Sequence, residues 1–439
     1  AIDHCKILDP ACGSGAFPMG VLHKLVYLLG KLDEKNLRWR ELQKMKAIRD
    51  TEEAFNIGDV KIREDKLMEI NETFENNAGD YGRKLYLIEN CIYGVDIQAI
   101  AVQISKLRFF ISLVVDQKER DWAENRGIRP LPNLETKFVA ANTLIGLDKP
   151  RQLPMGYEAI YPLQEKLQKI RHQHFEAKTR KDKLNCQKED RKIRKQIADK
   201  LTSLGFPNND SDKIARFDIY DQNASADFFD AEWMFGIKDG FDIVLGNPPY
   251  VQIQSFSGQA VQKQWEAQKY STYAKTGDIY CLFYERGFNL LALNGVLTYI
   301  TSNKWMRANY GKAMRKFFLE QGRISQVIDF GDSPIFENAT TYTNILVLRR
   351  DRSKQHVHAW DLSRAYTNEA SLEELLAEEG SCQPLFTEDG FVIASGPQSL
   401  IKKRIEEVGV PLKKWDISIN YGFKTGLNEA FIITGAKKD

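Results

Sequence analysis

The chain has 439 residues, of which 43% are hydrophobic and 28% charged, so it can bury a globular core and is long enough for two or three domains. Its formal net charge is only +2, which excludes a uniformly basic protein and leaves nucleic-acid affinity to local basic patches. Six scattered cysteines without CxxC spacing argue against a zinc site or a disulfide framework and predict a reducing, cytoplasmic location. No apolar run is long enough to span a membrane.

Short β-rich runs alternate with helical stretches along the chain. The seven runs are Cys5–Leu8, Cys91–Val95, Lys137–Ala140, Phe241–Leu245, Val296–Thr301, Ile324–Phe330 and Thr343–Arg349. This alternation predicts an α/β fold with a predominantly parallel, doubly wound sheet. Because the last run follows the sixth after a short connection, we expect one antiparallel strand at the edge of the sheet.

Two polar, helix-prone insertions interrupt a first domain that we expect to span residues 1–350. They cover about residues 31–84 and 151–216. Between Glu165 and Lys200 the second one carries 13 Lys and Arg against 6 Asp and Glu, with apolar residues at helical spacing. The favoured interpretation is a solvated helical hairpin packed on the core, and the alternative is a basic arm lying on DNA phosphates.

The last part of the chain has a different character. Residues 351–410 are expected to form a connecting segment, and residues 411–439 to begin another domain, because Asn420–Thr434 reads as a glycine-punctuated turn followed by a strand. The chain starts without a methionine and stops without a closing helix or strand. We therefore expect it to be a fragment of a longer protein.

A glycine-rich turn follows the first strand and precedes a helix, in the run Ile7–Phe17. Glycines there allow a tight turn that brings a ligand against backbone N–H groups at the carboxyl edge of the sheet. A dinucleotide site needs a third glycine, but this position holds Pro18. The carboxylate of Asp9 suits a cationic ligand such as the amino group of a methionine moiety. The candidate cofactor residues in this turn are Asp9, Ala11, Gly13 and Gly15.

The next two strands end in residues that can bind a nucleoside. Asp96 closes the second strand and can accept hydrogen bonds from both ribose hydroxyls, with Ile97 beside it. The alternative is that Asp96 simply caps the following helix. Asn142 follows the third strand and offers an amide to the adenine amine of the cofactor.

The tetrapeptide Asn247-Pro248-Pro249-Tyr250 ends the fourth strand. The prolines stiffen the backbone in an extended form with free carbonyls. The side-chain oxygen of Asn247 and the main-chain oxygen of Pro248 can then both accept from one –NH2 group. An aryl amine is a poor nucleophile, and two rigid acceptors stabilise the charge that develops on it during methyl transfer. Tyr250 offers a flat face for a planar substrate. The alternative is an ordinary strand-ending turn, which the strand context disfavours.

The ordered motifs Asp-Pro-x-x-Gly-x-Gly, Gly-Val-Asp, Asn-Pro-Pro-Tyr, Asp278-Ile279-Tyr280 and Ser302-Asn303-Lys304-Trp305 resemble those of the gamma-class adenine-N6 DNA methyltransferases. More narrowly, they look like the methylase part of fused type IIG restriction–modification enzymes and related phage-defence methylases. The resemblance covers nearly the whole chain, from Ile7 to Thr434. It implies a Rossmann-like, seven-stranded methyltransferase sheet and S-adenosylmethionine as the cofactor.

The same resemblance implies roles for individual residues. Asp9, Gly13, Gly15 and Asp96 would hold the cofactor, while Asn247, Pro248 and Tyr250 would hold a flipped-out adenine of double-stranded DNA. Phe336 would stack on the other face of that base, although core packing is an equal alternative. The family commonly has Asp at the position of Asn142, and its cofactor lid would lie before Ala1.

In the fused enzymes that the motifs resemble, a nuclease precedes the methylase and a target-recognition domain follows it. We therefore expect any nuclease upstream of Ala1, with base recognition in the domain that begins near Pro411. A basic group just past the fifth strand is equally compatible with DNA contact and with simple solvation. Its members are Lys304, Arg307, Lys312, Arg315 and Lys316.

Three other functions compete with DNA methylation. Methyltransferases acting on a protein glutamine amide or on an rRNA base use similar tetrapeptides, but are usually compact and lack a long helical insertion. A catalytically idle DNA-binding subunit is disfavoured because each cofactor and amine position holds a competent residue. The cytosine-C5 route needs a cysteine nucleophile where Tyr250 stands, and no metal is expected.

Overall fold

The computed structural model describes residues 2–417 except 57, 78, 118–131, 149–153, 178, 337–341, 352–356, 368–370, 379–382 and 395. It divides into two units, residues 1–393 and 394–439. The domain start expected at Asn420–Thr434 lies outside the described residues. Among the described helices, none is both long and apolar enough to cross a membrane.

The first unit is built on an eight-stranded sheet with a separate two-stranded sheet. The strands are β1 (Ile7–Asp9), β2 (Ile92–Asp96), β3 (Phe138–Ala140), β4 (Phe241–Gly246), β5 (Leu291–Ser302), β6 (Arg323–Asp329), β7 (Thr343–Arg349), β8 (His358–Asp361), β9 (Gln383–Phe386) and β10 (Phe391–Ala394). The large sheet has the order β3-β2-β1-β4-β5-β7-β6-β8. All seven predicted runs form strands, which confirms the α/β class and the doubly wound sheet.

Helices cover the sheet and form the insertions. They are α1 (Ala16–Leu32), α2 (Leu37–Phe55), α3 (Val60–Asn77), α4 (Asp80–Asn90), α5 (Ala99–Val114), α6 (Tyr161–Glu176), α7 (Arg180–Ser203), α8 (Asn208–Arg216), α9 (Ala231–Phe235), α10 (Ala260–Ala267), α11 (Tyr280–Asn289), α12 (Lys312–Gln321), α13 (Leu372–Glu378) and, in the second unit, α14 (Gly396–Val408).

Two expectations about the sheet are wrong. It has eight strands rather than seven, because β8 pairs in parallel with β6 at the edge. The antiparallel strand β7 does not lie at the edge but between β5 and β6, and pairs antiparallel with both. A short connection between β6 and β7 requires only that they be neighbours. It does not say which side of β6 the returning strand takes.

Both faces of the sheet are buried, and neighbouring strand residues point to opposite faces. Ile7, Ile92 and Phe138 pack in one hydrophobic cluster with residues of α1, α4 and α5. Their successors Leu8, Tyr93 and Val139 pack in the other cluster, with residues of α11 and α12. A strand buried on both faces reads as a continuous apolar run, and the sequence shows such runs here.

The second insertion is a hairpin of α6 and α7 held by a buried carboxylate. Asp190 is fully buried and accepts from Arg171 Nε at 2.9 Å and from Arg194 Nε at 2.6 Å. The Tyr220 hydroxyl donates to the same carboxylate at 3.2 Å. Arg171 also donates to the carbonyl oxygens of α9. Arg171 and Arg194, two of the basic residues of this insertion, therefore form buried ion pairs and do not face solvent.

Candidate functional site

The carboxyl ends of β1, β2 and β4 meet at the point where the strand order reverses, between β1 and β4. In open α/β sheets, ligands bind in the crevice outside the strand ends at such a reversal. Asp9 ends β1, Asp96 ends β2 and Asn247 follows β4. The sheet topology therefore gathers the predicted cofactor residues and the predicted catalytic residue at one edge.

The two halves of the candidate site touch at Gly246. A Cβ atom at this residue would lie 2.6 Å from Asp9 Oδ1, closer than Cβ atoms in proteins essentially ever come to another atom. Gly246 therefore has to be a glycine so that the end of β4 can lie against the Asp9 carboxyl group. Because Asn247 is the next residue, the amine-binding tetrapeptide begins directly beside the glycine turn.

The side-chain oxygen of Asn247 is a buried acceptor without a partner among the described residues. Most buried polar atoms in proteins have a hydrogen-bond partner, so an orphaned acceptor marks a place where a ligand can donate. Pro248 is buried and Pro249 is exposed. Asn247 Oδ1 is therefore free of partners among the described residues and could accept a hydrogen bond from a ligand.

Tyr250 is held at two points. Its hydroxyl donates to the Ile300 carbonyl oxygen on β5 at 3.0 Å, and its ring makes a T-shaped contact with the Tyr280 ring at a centroid distance of 6.0 Å and an angle of 86°. The side chain is half-buried, and this burial raises the pKa of its hydroxyl above the ordinary value. Tyr250 therefore stays neutral and presents a fixed ring.

The glycine turn is fixed by side chains from two other parts of the chain. Gly13 N–H donates to Asp96 Oδ2 at 2.9 Å, and Ser105 Oγ donates to the Gly13 carbonyl oxygen at 2.9 Å. Thr143 Oγ1 donates to the Pro10 carbonyl oxygen at 2.7 Å. Ser105 and Thr143 are buried and were not predicted from the sequence. A single serine in an apolar helix is too common to be singled out without the fold.

Gly13 and Gly15 both have positive φ values, 53° and 82°. At Gly15 a Cβ atom would also lie 2.8 Å from Ser105 Oγ. A substitution at Gly15 is therefore opposed both by backbone strain and by contact with α5. This accounts for the second glycine of the motif.

The other residues predicted to contact the cofactor or the base differ in burial and in hydrogen bonding. Asp96 Oδ1 accepts from Gln98 N–H in the turn before α5, while its other oxygen holds the glycine turn; Asp96 does not cap the helix, whose N-cap residue is Gln98. Asn142 Oδ1 accepts from Leu144 N–H at 3.2 Å. Ile97 is 58% exposed, whereas Ala11 and Phe336 are half-buried. Phe336 lies outside the hydrophobic clusters formed by the described residues.

The basic group past β5 does not form one outer face, because Arg315 is only 2% exposed. Its guanidinium donates to the carbonyl oxygens of Trp305 and Ala308 at 2.5 and 2.9 Å, and it also reaches that of Glu388. Arg315 therefore holds the loop after β5 instead of facing solvent. The other four cations are exposed.

A cavity of about 140 Å³ lies at the opposite, amino edge of the sheet and contains none of the predicted site residues. Lys137 lines it beside the Tyr93 ring, at 4.9 Å from the ring centroid, and burial lowers the pKa of this lysine to about 8. Within the described residues, no group of His, Cys, Asp and Glu could hold a metal ion.

Asp9 is 2% exposed, and its carboxyl group accepts a hydrogen bond from Ala11 N–H at 3.1 Å. Burial raises the pKa of this carboxyl group to about 8, and the nearby Asp96 adds to the rise. A group that binds its proton more tightly in the folded state loses folded-state stability as the pH rises. Asp9→Asn should therefore raise the melting temperature of the ligand-free protein at pH 9 but leave it nearly unchanged at pH 4, just above the ordinary pKa of aspartate.

The control for this prediction is Asp227→Asn, a change in a carboxylate outside the site. Thermal unfolding of the three proteins between pH 4 and pH 9 measures the effect. An Asp9→Asn variant that loses stability at pH 9 would show that the Asp9 carboxylate is charged and well solvated in the folded state.

Comparison with known proteins shows similarity to restriction–modification methyltransferases. Residues 90–336, more than half of the chain, match the model of the Eco57I restriction-modification methylase family. The chain is 33% identical over 155 residues to the type II restriction enzyme and methyltransferase RM.Eco57I of Escherichia coli, covering 34% of this chain and 14% of that protein. It is 27% identical over 207 residues to the type II methyltransferase M.PaeR7I of Pseudomonas aeruginosa, covering 45% of this chain and 36% of that protein.

Among solved structures, the nuclease-deletion mutant of the type ISP restriction-modification enzyme LlaGI in complex with a DNA substrate mimic is similar at a TM-score of 0.41 and 13% identity. That match covers 82% of this chain and 22% of the LlaGI chain. The chain thus spans well under half the length of each of these three relatives.

Proposed function

Because the chain belongs to the Eco57I restriction-modification methylase family, we propose that it transfers a methyl group from S-adenosylmethionine to the N6 amine of an adenine in double-stranded DNA. The reaction would serve a restriction–modification or phage-defence system. The observation that carries the proposal is the orphaned, buried oxygen of Asn247 next to a glycine turn that contains a buried carboxylate.

The residues at the strand ends fit the proposed cofactor. Asp9 offers a buried carboxyl group to a cationic amino group, and the space within 4 Å of a Cβ atom at Gly13 is empty, which leaves this side of the turn open to a ligand. Each oxygen of Asp96 accepts one backbone N–H group and has a lone pair left for a ribose hydroxyl. When bound, S-adenosylmethionine supplies an electrophilic methyl group on a sulfonium.

The chain itself has to bind and orient the amine. Asn247 Oδ1 and the Pro248 carbonyl oxygen would accept the two N–H hydrogens and favour charge on the nitrogen as it becomes tetrahedral. Tyr250 would stack on the base, which has to leave the duplex at a cost of a few kcal/mol. No side chain is required as a strong base, because a methylated aminium readily loses its proton.

The proposal is tested by incubating the protein with labelled S-adenosylmethionine and unmethylated DNA. The labelled nucleosides are then identified after digestion of the DNA. We expect N6-methyladenine. N4-methylcytosine as the labelled product, or label in protein or RNA instead of DNA, would overturn the assignment to adenine in DNA.

Ser105→Ala should weaken cofactor use without changing the chemical step. The substitution removes the hydrogen bond that Ser105 Oγ donates to the Gly13 carbonyl oxygen. A hydrogen bond of this kind contributes about 1 kcal/mol, so the KM for S-adenosylmethionine should rise about fivefold at nearly constant kcat. Steady-state kinetics at saturating DNA measure both constants. Ser112→Ala on the same helix is the matched control, and an equal effect in both variants would contradict the prediction.

A further inference from the structure

A chain of hydroxyl groups lies behind the Tyr250 ring. Tyr280, which is fully buried at the start of α11, contacts that ring edge-on. The Tyr280 and Tyr310 hydroxyl oxygens are 2.8 Å apart, and Tyr310 donates to Asp278 Oδ2 at 3.1 Å. Because Tyr310 uses its only hydrogen on Asp278, Tyr280 has to donate to Tyr310. The contact that supports Tyr250 is thus tied to a carboxylate through Tyr310.

The carboxylate belongs to a segment that pairs with the chain leaving Tyr250. Asp278 forms an antiparallel bridge with Gln252. Ile279 N–H donates to the Val251 carbonyl oxygen at 2.8 Å, and Ile253 N–H donates to that of Gly277 at 2.8 Å. The backbone on both sides of Asp278 is therefore held next to the tetrapeptide. The Asp278 carboxylate, which accepts the hydrogen bond from Tyr310, is thus fixed in position.

The Tyr310 ring lies against the backbone of the same segment. A Cβ atom at Gly277 would be 3.4 Å from Tyr310 Cδ2, an ordinary van der Waals distance, so the ring lies directly beside this residue. Tyr310 itself comes from a short helix, Asn309–Gly311, that follows β5. It therefore connects the segment after β5 with the segment around Asp278.

We propose that Tyr310 is a positioning residue that sets the orientation of the Tyr250 ring by holding Tyr280 and Asp278 in place. The inference rests on the proposed function, in which Tyr250 stacks on the flipped base. The Tyr250 hydroxyl is fixed by the Ile300 carbonyl oxygen, and the Tyr280 edge fixes the rotation of the ring. A stacking group has to be held within about 10–20° of its productive orientation, and two fixed points can achieve this.

The test compares the wild type with Tyr310→Phe, Tyr280→Phe and the double variant in methylation of unmethylated DNA. Each single change removes the hydrogen bond between the Tyr280 and Tyr310 hydroxyl groups and keeps the aromatic ring of the substituted residue. We expect each to lower kcat about fivefold, with the KM for S-adenosylmethionine unchanged. The double variant should lose no more than the worse single one, because residues that act through one contact are not additive. Tyr273→Phe, which removes a hydroxyl that donates to Glu266, is the control and should behave as the wild type.

Three outcomes separate the inference from the proposed function. If the wild type methylates adenine in DNA and both single variants match it, the positioning role is wrong and the proposed function stands. If the two effects multiply in the double variant, or if S-adenosylmethionine KM rises along with the loss of kcat, the role is general support of the fold. If the wild type places no methyl group on DNA, both are overturned.

Discussion

Asn247→Ala is expected to lower the rate of methyl transfer to DNA by about 10²–10³-fold, the usual effect of removing one preorganised group that stabilises transition-state charge. The substitution deletes the buried oxygen that has no partner among the described residues. Because no described residue donates a hydrogen bond to this oxygen, its loss should leave the melting temperature unchanged or slightly higher. Single-turnover methylation with labelled S-adenosylmethionine measures the chemical step directly.

Two further variants sharpen this result. Asn247→Asp keeps an oxygen acceptor and should retain more activity than Asn247→Ala. Asn223→Ala changes an exposed asparagine outside the site and should be as active as the wild type. Binding of S-adenosylmethionine, measured by calorimetry, should be similar in all of them. An Asn247→Ala variant within about threefold of the wild-type rate would mean that this oxygen does not hold the reacting amine.

Asp190→Ala is expected to lower the free energy of unfolding by about 3–5 kcal/mol, because removing one partner of a buried ion pair leaves uncompensated charge behind. Arg171 and Arg194 are both buried and both donate to this carboxylate. Their guanidinium groups would face each other without a counterion. Urea unfolding of the wild type and of Asp190→Ala at pH 7 measures the difference in the free energy of unfolding.

The matched control is Asp199→Ala, an exposed aspartate on the same helix, which should change stability by less than about 0.5 kcal/mol. The pH dependence gives a second check. Burial alone would raise the pKa of Asp190, but Arg171 and Arg194 hold it below the ordinary value. The stability that Asp190 contributes is therefore present above about pH 4 and is lost as the pH falls through the folded-state pKa. A gap between the wild type and Asp190→Ala that does not narrow as the pH falls below 4 would contradict this origin.

Most of the sheet could be predicted because its strands are short apolar runs buried on both faces. The runs around Leu8, Tyr93 and Val244 carry this signal locally, in a few consecutive residues. The position of β7 and the addition of β8 could not be predicted, since strand order depends on contacts between segments far apart in the chain. Arg315 illustrates the same limit. Its charge suggested solvent exposure, but carbonyl oxygens more than 70 residues away surround its guanidinium.

The candidate site was predictable where one short segment supplies both geometry and chemistry, as in the glycine turn and the tetrapeptide. Its supporting contacts were not, because each joins distant segments through a common residue type. Thr143 reaches Pro10, Ser105 reaches Gly13, and Tyr310 reaches Tyr280. Periodicity and motif spacing carry no information about such pairs. A serine or tyrosine hydroxyl acquires its role only from the partner that the fold places within reach.

The glycine turn is held by residues far along the chain, namely Asp96 and Ser105, which are 83 and 92 residues from Gly13, and Gly246, which is 237 residues from Asp9. A ligand seated on this turn would therefore connect separate parts of the polypeptide, and its binding energy would oppose opening of any of them. Protease cleavage and amide exchange should slow together in α5, β2 and the end of β4 when the cofactor is added. A protein that still binds the cofactor would therefore have strands β1 to β4 folded together.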